Sequence, residues 1–282
     1  MPQMLVCGRF RLDLSIPKIM AILNVTPDSF SGDGCLTRDV ALRAAERVIS
    51  EGADILDIGG ESSRPGALPV GEQEEMDRVL PVVEALVSLG RPLSIDTAKP
   101  SVMREAIKAG ADLINDISAF QADGAIDAVK DSGVALCVMH MKGQPRTMQI
   151  APCYDNVLSE VSEFLADRVE ALVESGVASD RILLDPGFGF GKSLDHNVTI
   201  LKGLGSIRRS DYPLLVGMSR KSMLGQITGR DVGDRAVAGA LAAMIAIQNG
   251  ARVVRTHDIA ATRDAVRIWT ALEAIGKAAC QE

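Results

Sequence analysis

Glu51-Gly52-Ala53-Asp54-Ile55-Leu56-Asp57 is the stretch on which the reading of this 282-residue chain turns. A helix-like segment ends at a glycine, a short apolar run begins a few residues later, and a polar side chain closes it. Ala109-Gly110-Ala111-Asp112-Leu113-Ile114-Asn115 repeats the pattern, and so does Asn249-Gly250-Ala251-Arg252-Val253-Val254-Arg255. Looser copies have Gly133 before residues 134–139 and Gly176 before residues 182–185. The physical reading is a glycine just past a helix end, a turn, and a strand buried on both faces.

Counted this way, the chain predicts eight strands, near residues 19–25, 54–58, 93–96, 113–117, 134–139, 182–185, 214–217 and 252–256. Helical patterns separate most of them. The clearest covers residues 156–174, with Val157, Val161, Phe164, Leu165, Leu172 and Val173 on one face. Pro100 suits a first helical position, and Pro81 inside the helical stretch 72–89 predicts a kink. Eight β-then-α units in a chain of this length predict an α/β fold, a single (β/α)8 TIM barrel. A doubly wound sheet would need a Gly-rich dinucleotide fingerprint after the first strand, and none is present. No linker divides the chain, so residues 1–282 read as one domain. Residues 3–14 alternate around Gly8-Arg9 and predict a hairpin, within segment 1–16, that caps the floor of a barrel spanning 17–282.

Composition narrows the function. Hydrophobic residues make up 47% and aromatics only 3%, so the core must be aliphatic. A net charge of −7 argues against nucleic acid or an anionic membrane as partner. The longest apolar stretch, residues 237–247, is well short of the ~20 residues of a membrane span, and the run at residues 4–7 is too short for a signal-peptide core. Five widely spaced cysteines without a C-x-x-C read as reduced thiols in a cytoplasmic protein. His140, His196 and His257 form no zinc pattern.

In such barrels the reacting groups sit at the C-terminal ends of the strands. Those ends read Asn24, Asp57 with Glu61, Asp96, Asn115 with Asp116, His140, Asp185, Ser219 to Ser222, and Arg255 with His257. Taken singly, each is explained by turn and cap chemistry. Taken together, Asn24, Lys221, Arg255 and His257 are not needed as caps. Asp96, Asn115 and Asp185 offer oxygens, whereas Arg64, Arg220, Lys221, Arg255 and His257 offer donors and positive charge. A ligand matching both halves has an N–H-rich heterocycle at one end and phosphate at the other.

Other features have plainer readings. The glycines at 187, 189 and 191 lack the P-loop ending and predict a flexible strand-end loop with Phe188 or Phe190 exposed for stacking. His140 reads as structural and His196 as part of a helix start. The acidic run 72–77 reads as a solvated helix start. Residues 236–247 form a helix apolar nearly all round, meaning full burial or a subunit interface.

Five blocks carry a resemblance: Asn24-Val25-Thr26-Pro27-Asp28-Ser29-Phe30, Gly59-Gly60-Glu61-Ser62-Ser63-Arg64-Pro65-Gly66, Asp185-Pro186-Gly187-Phe188-Gly189-Phe190-Gly191-Lys192, Gly217-Met218-Ser219-Arg220-Lys221-Ser222 and Arg255-Thr256-His257-Asp258. Their types and order resemble the dihydropteroate synthases, pterin-binding TIM barrels. Two departures stand out: Ser63 where the family usually has Thr, and an acidic residue after Phe30 displaced by one position, at Asp33.

The resemblance implies a transferase of folate biosynthesis that joins 6-hydroxymethyl-7,8-dihydropterin diphosphate to 4-aminobenzoate, assisted by Mg2+. It implies that Asp96, Asn115, Ile117, Met139, Asp185 and Lys221 hold the pterin. Asn24, Ser63, Arg64, Arg255 and His257 would hold the diphosphate, with Asn24 near the metal. Ser63, Arg64, Pro65, Phe190, Lys221 and Ser222 would shape the 4-aminobenzoate pocket, where sulfonamides bind in this family. Asp96, Asp185, Lys221, Arg255 and His257 would carry the catalysis. A homodimer through late barrel helices is implied as well. The rival readings are a methyltetrahydrofolate-binding methyltransferase domain, which has no use for a diphosphate cluster, and a non-catalytic pterin-binding paralogue.

Overall fold

The glycine-led repeat has a backbone cause. Gly52, Gly110 and Gly250 follow helices and adopt φ near +110° (108, 110 and 107°), a conformation that a Cβ disfavours and that turns the chain back toward the next strand. The aspartate of the repeat has a task that its spacing did not reveal. Asp54 accepts the Ile19 amide at 2.9 Å and Asp112 the Leu93 amide at 3.0 Å, each docking the start of a strand onto its neighbour.

A computed structural model describes residues 4–25, 34–62, 68–144, 147–207 and 212–279. After a hairpin of β1 (Met4–Cys7) and β2 (Phe10–Asp13), eight parallel strands close into a barrel. They are β3 (Lys18–Asn24), β4 (Ile55–Gly59), β5 (Leu93–Asp96), β6 (Leu113–Asp116), β7 (Ala135–Met139), β8 (Ile182–Asp185), β9 (Leu214–Val216) and β10 (Ala251–Thr256), with β10 pairing β3 to complete the ring. Every expected strand is present within a residue or two of its expected ends.

The helices are α1 (Gly34–Glu51), α2 (Glu72–Leu86), α3 (Pro100–Ala109), α4 (Ala125–Val129), α5 (Val157–Glu174), α6 (Leu194–Lys202), α7 (Leu204–Ile207), α8 (Ser222–Thr228), α9 (Ala236–Gln248) and α10 (Ile259–Ala279). Asn156 caps α5 by accepting the Leu158 and Ser159 amides at 3.1 and 3.2 Å. Pro100 opens α3, and Pro81 lies within α2. His196 completes a capping box with Ser193 at the start of α6.

Two helices show where burial departs from the letter-by-letter pattern. Glu72, Glu74 and Asp77 in the acidic start of α2 are exposed, as expected, but Glu75 is fully buried and paired at 2.5 Å with Lys99, which also contacts Glu61. Of the two readings of α9, full burial is excluded: Ala242, Ala243, Ala246 and Ile247 are buried, whereas Val237, Leu241 and Ile245 are exposed.

Inside the barrel the side chains alternate with the pleat. Met20, Ile55, Leu113, Ala135, Leu183, Leu215 and Val253 form an apolar lower layer that packs on Leu5, Cys7 and Leu14. The hairpin is therefore the barrel's floor. Its anchor is Asp112, buried, which accepts the Arg9 amide at 3.0 Å, Arg9 Nε at 2.9 Å and Arg9 Nη2 at 2.7 Å. Asp112→Ala would orphan the Arg9 and Leu93 amides and leave the Arg9 guanidinium only its bonds to the Val87 and Gly110 carbonyls. Because Arg9 is partly solvated, the expected loss is about 2–3 kcal/mol rather than that of a fully buried pair. It should appear as a lower urea midpoint, and an unchanged midpoint would show the anchor to be dispensable.

Candidate active site

Two residues beyond the apolar layer, on the same inward face, stand Asp57 after Ile55, Asn115 after Leu113, Cys137 after Ala135, Asp185 after Leu183 and Arg255 after Val253. Strand periodicity thus places an ionic layer directly above the hydrophobic one. The register sets Asn24 beside Gly59, Gly59 beside Asp96, Asp96 beside Asn115, and Met139 beside Asp185.

Arg255 bridges this layer. Its Nε donates to Asp57 Oδ2 and its Nη2 to Asp96 Oδ2, both at 2.6 Å. Ser94 Oγ donates to the other Asp57 oxygen at 2.5 Å. Burial works against the guanidinium's charge, but Asp57 and Asp96 outweigh it and raise its pKa. Burial raises the Asp96 carboxyl above the ordinary carboxylate range, with Arg255 opposing. Asp185 is raised for the same reason, opposed chiefly by Lys221, and it accepts the Gly187 amide at 2.7 Å. Asn115 Oδ1 is buried and has no hydrogen-bond partner. A native interior seldom leaves such an oxygen unsatisfied unless something else supplies the donor.

The cationic side comes from the ends of β9 and β10. Arg220 takes φ +59°, and Lys221 then precedes α8. Lys221 Nζ donates to the Phe188 carbonyl and stands 4.3 Å from the centre of the Phe190 ring. Burial lowers its pKa to about 8, although Asp185 pulls the other way. His257 Nδ1 lies 3.1 Å from Ser219 Oγ. Arg220 does not join the centre; it pairs with Asp258 at 2.7 Å. Ser222 is exposed at the first turn of α8. Ile117 is half-buried in the turn after β6, where buried Asp116 accepts the Ser118 and Phe120 amides, both at 2.7 Å.

The glycine loop after β8 is tied down rather than free. Phe188 is fully buried and Phe190 half-buried beneath Lys221. Asn197 Oδ1 accepts the Gly189 amide at 2.8 Å. Lys192, buried, binds carbonyls within the loop, and its Nζ lies 2.8 Å from His140 Nδ1, which bears out a structural role for His140.

Asn24, Asp96, Asn115, Met139, Asp185, Lys221, Arg255 and His257 therefore meet at one end of the barrel, as expected from their strand ends. Ser63, Arg64, Pro65 and Asp33 lie outside the described residues. Asp57 and Ser94 are additions. Asp57 appears among the strand ends, but only the inward parity of β4 marks it as the partner of Arg255. Asp57→Asn keeps the shape and the bond to Ser94 while removing the charge that orients Arg255. If Arg255 acts in turnover, kcat/KM should fall about 10- to 100-fold, the scale for a charge-assisted bond. A steady-state assay with unchanged kcat/KM would remove Asp57 from the site. Two surface clefts of about 480 and 580 Å3 contain none of these residues.

Comparison with known proteins agrees with this geometry. The profile of the pterin binding enzyme family matches residues 20–257, and the chain belongs to that family. Among its relatives, the dihydropteroate synthase of Haemophilus influenzae is 47% identical over 262 residues, covering 92% of this chain and 95% of the relative. The structure of Burkholderia cenocepacia dihydropteroate synthase complexed with 7,8-dihydropteroate superposes with a TM-score of 0.90 at 52% identity, covering 98% of each chain. The Yersinia pestis dihydropteroate synthase in a sulfonamide drug complex superposes with a TM-score of 0.91 at 47% identity, covering 96% of this chain and 99% of that one.

Proposed function

We infer that this chain condenses 6-hydroxymethyl-7,8-dihydropterin diphosphate with 4-aminobenzoate, releasing diphosphate and forming 7,8-dihydropteroate. The observation that carries the reading is the divided barrel mouth. Asp96, Asp185 and the unpartnered Asn115 oxygen suit the N–H edge of an aminopyrimidinone, while Lys221, Arg255 and His257 suit an anion. Kinship with dihydropteroate synthases over nearly the whole chain supports it.

In this reading Asp96, Asn115, Asp185 and Lys221 orient the pterin, with Ile117 and Met139 against its faces. Arg255, His257 and Asn24 hold the diphosphate, with Ser63 and Arg64 joining them. Ser63, Arg64, Pro65, Phe190, Lys221 and Ser222 receive 4-aminobenzoate, and sulfonamides compete there. The carbon–oxygen bond of the pterin methylene breaks with its electron pair leaving on diphosphate. The carboxylates of Asp96 and Asp185 stabilise the positive charge that spreads into the ring. The arylamine nitrogen donates its lone pair to the same carbon and then loses a proton to water. A neutral amine needs no strong base.

The donor set fits a magnesium ion that arrives with the diphosphate. Asn24 offers one hard amide oxygen at the barrel mouth, 3.6 Å from where a Cβ on Gly59 would stand, and no group of three His, Cys, Asp or Glu among the described residues could hold a cation alone. When bound there, magnesium supplies positive charge to the leaving group.

The test is diphosphate release by the purified protein with Mg2+ and the pterin substrate, with and without 4-aminobenzoate. Release that requires 4-aminobenzoate is expected. Pterin binding without release would instead indicate a non-catalytic paralogue.

We read the chain as one functional unit and place it in the cytoplasm. Free Cys7, Cys137 and Cys153 support this, and no described helix is long and apolar enough to cross a membrane. The partner in solution is a second copy. Val237, Leu241 and Ile245 form an exposed stripe on α9, and Ile268, Leu272 and Ile275 form another on α10, which packs against it. Leu241→Asp should halve the sedimentation mass at micromolar concentration, whereas a wild-type chain that is already a monomer would end this reading.

A further inference from the structure

We propose that Lys192 is a positioning residue. Its buried ammonium ties the ends of β7 and β8 to the glycine loop, and so sets the seat in which Phe190 and Lys221 receive the arylamine. The inference rests on the activity proposed above.

Lys192 is 2% exposed, so it does not touch a substrate itself. Its Nζ lies 2.8 Å from His140 Nδ1 and donates to the carbonyls of Gly187 and Phe190, both at 3.0 Å, and of His140 at 3.3 Å. Among the described residues no carboxylate forms an ion pair with it. Burial pulls the Lys192 amine down to about 7, with the nearby Asp185 charge pulling the other way, and an aliphatic side chain would fill the space without that cost. The donors are what the place requires. Gly187, Gly189 and Gly191 take φ of 68, 77 and 64°, so the loop forms neither helix nor strand; its own turn bond, from the Phe190 amide to the Gly187 carbonyl at 3.1 Å, leaves the Phe190 carbonyl to Lys192.

Each contact leads to the site. His140 follows Met139, and its amide donates to the Asp185 carbonyl at 2.9 Å. The Gly187 amide holds the Asp185 carboxylate, and Phe190 lies under Lys221, which in turn grips the Phe188 carbonyl. For the imidazole to accept from an ammonium it must be neutral, and burial followed by Lys192 itself lowers His140 to about 3.

The test compares the full-length wild-type chain with Lys192→Met and Lys192→Gln. In Lys192→Met, KM for 4-aminobenzoate should rise about tenfold while kcat and the Kd of the pterin diphosphate change by less than about threefold. Hydrogen exchange should speed up in residues 186–191 and stay unchanged in the barrel strands. Lys192→Gln keeps two donors and should raise that KM only about threefold. An unchanged KM, or equal losses for both substrates with faster exchange throughout the barrel, overturns the proposal. Should Lys192→Met fail to fold, the Gln variant decides, and an unchanged KM there also overturns it. A wild-type chain that releases no diphosphate would sink the proposed activity instead, while the exchange pattern of the variants would still report on the tether.

Discussion

Replacing Arg255 with alanine is expected to slow diphosphate release about 100- to 1000-fold at saturating substrates, the range seen when one preorganised electrostatic donor is lost. Two effects combine. The guanidinium is the barrel-mouth cation fixed from two directions, by Asp57 and Asp96, so its charge sits ready without reorganisation. Its removal also leaves those two carboxylates facing each other in a low-dielectric interior. That raises the tendency of Asp96 to take up a proton and weakens its hold on the pterin. Arg255→Lys restores a charge but not the fork that spans both partners, and should recover only part of the rate. Thermal unfolding measured alongside separates catalysis from stability. Turnover within threefold of wild type in a folded Arg255→Ala protein would take Arg255 out of the mechanism.

The second large effect concerns shape. Gly187 takes φ +68°, and a Cβ built on it would lie 1.9 Å from the His140 carbonyl oxygen. Gly187→Ala therefore combines left-handed strain with a collision between two backbones, neither of which can move like a flexible side chain. An expected cost above about 3 kcal/mol follows, since the strain alone is worth about 1–2. The damage should reach the site, because Gly187 holds the Asp185 carboxylate and its carbonyl accepts from Lys192. Gly176 is the control: it also has positive φ, 95°, but no heavy atom lies within 4 Å of its added Cβ. Gly176→Ala should lose only about 1–2 kcal/mol, the strain alone. Urea unfolding of both variants decides, and equal midpoints would mean that the clash is relieved by a shift of the β8 end.

Much of this was legible along the chain because it is local. A glycine after a helix, two or three apolar residues and a polar terminus recur with the spacing of a β-then-α unit. Each such unit becomes a barrel strand whose last inward residue reaches the mouth. Asp96, Asn115, Asp185 and Arg255 were therefore readable as neighbours before any distance was known. The errors were of another kind. The acidic start of α2 reads as solvated, and Glu72, Glu74 and Asp77 are, yet Glu75 within it lies inward against Lys99. The glycine-rich loop looks loose, yet Phe188 is enclosed. Composition reports average polarity, whereas burial depends on which elements pack over a given residue.

The sequence by itself determined the barrel, its apolar floor hairpin and the set of polar side chains at one end, because periodicity and turn chemistry act over a few residues. Only the tertiary structure decided which of those side chains become partners. Asp57 meets Arg255, and Lys192 meets His140, through closure of the ring and folding of the loops above it. No pattern of spacing encodes these pairings. Their energies depend on distance and dielectric between chain segments that are remote in sequence and adjacent only once the fold is complete.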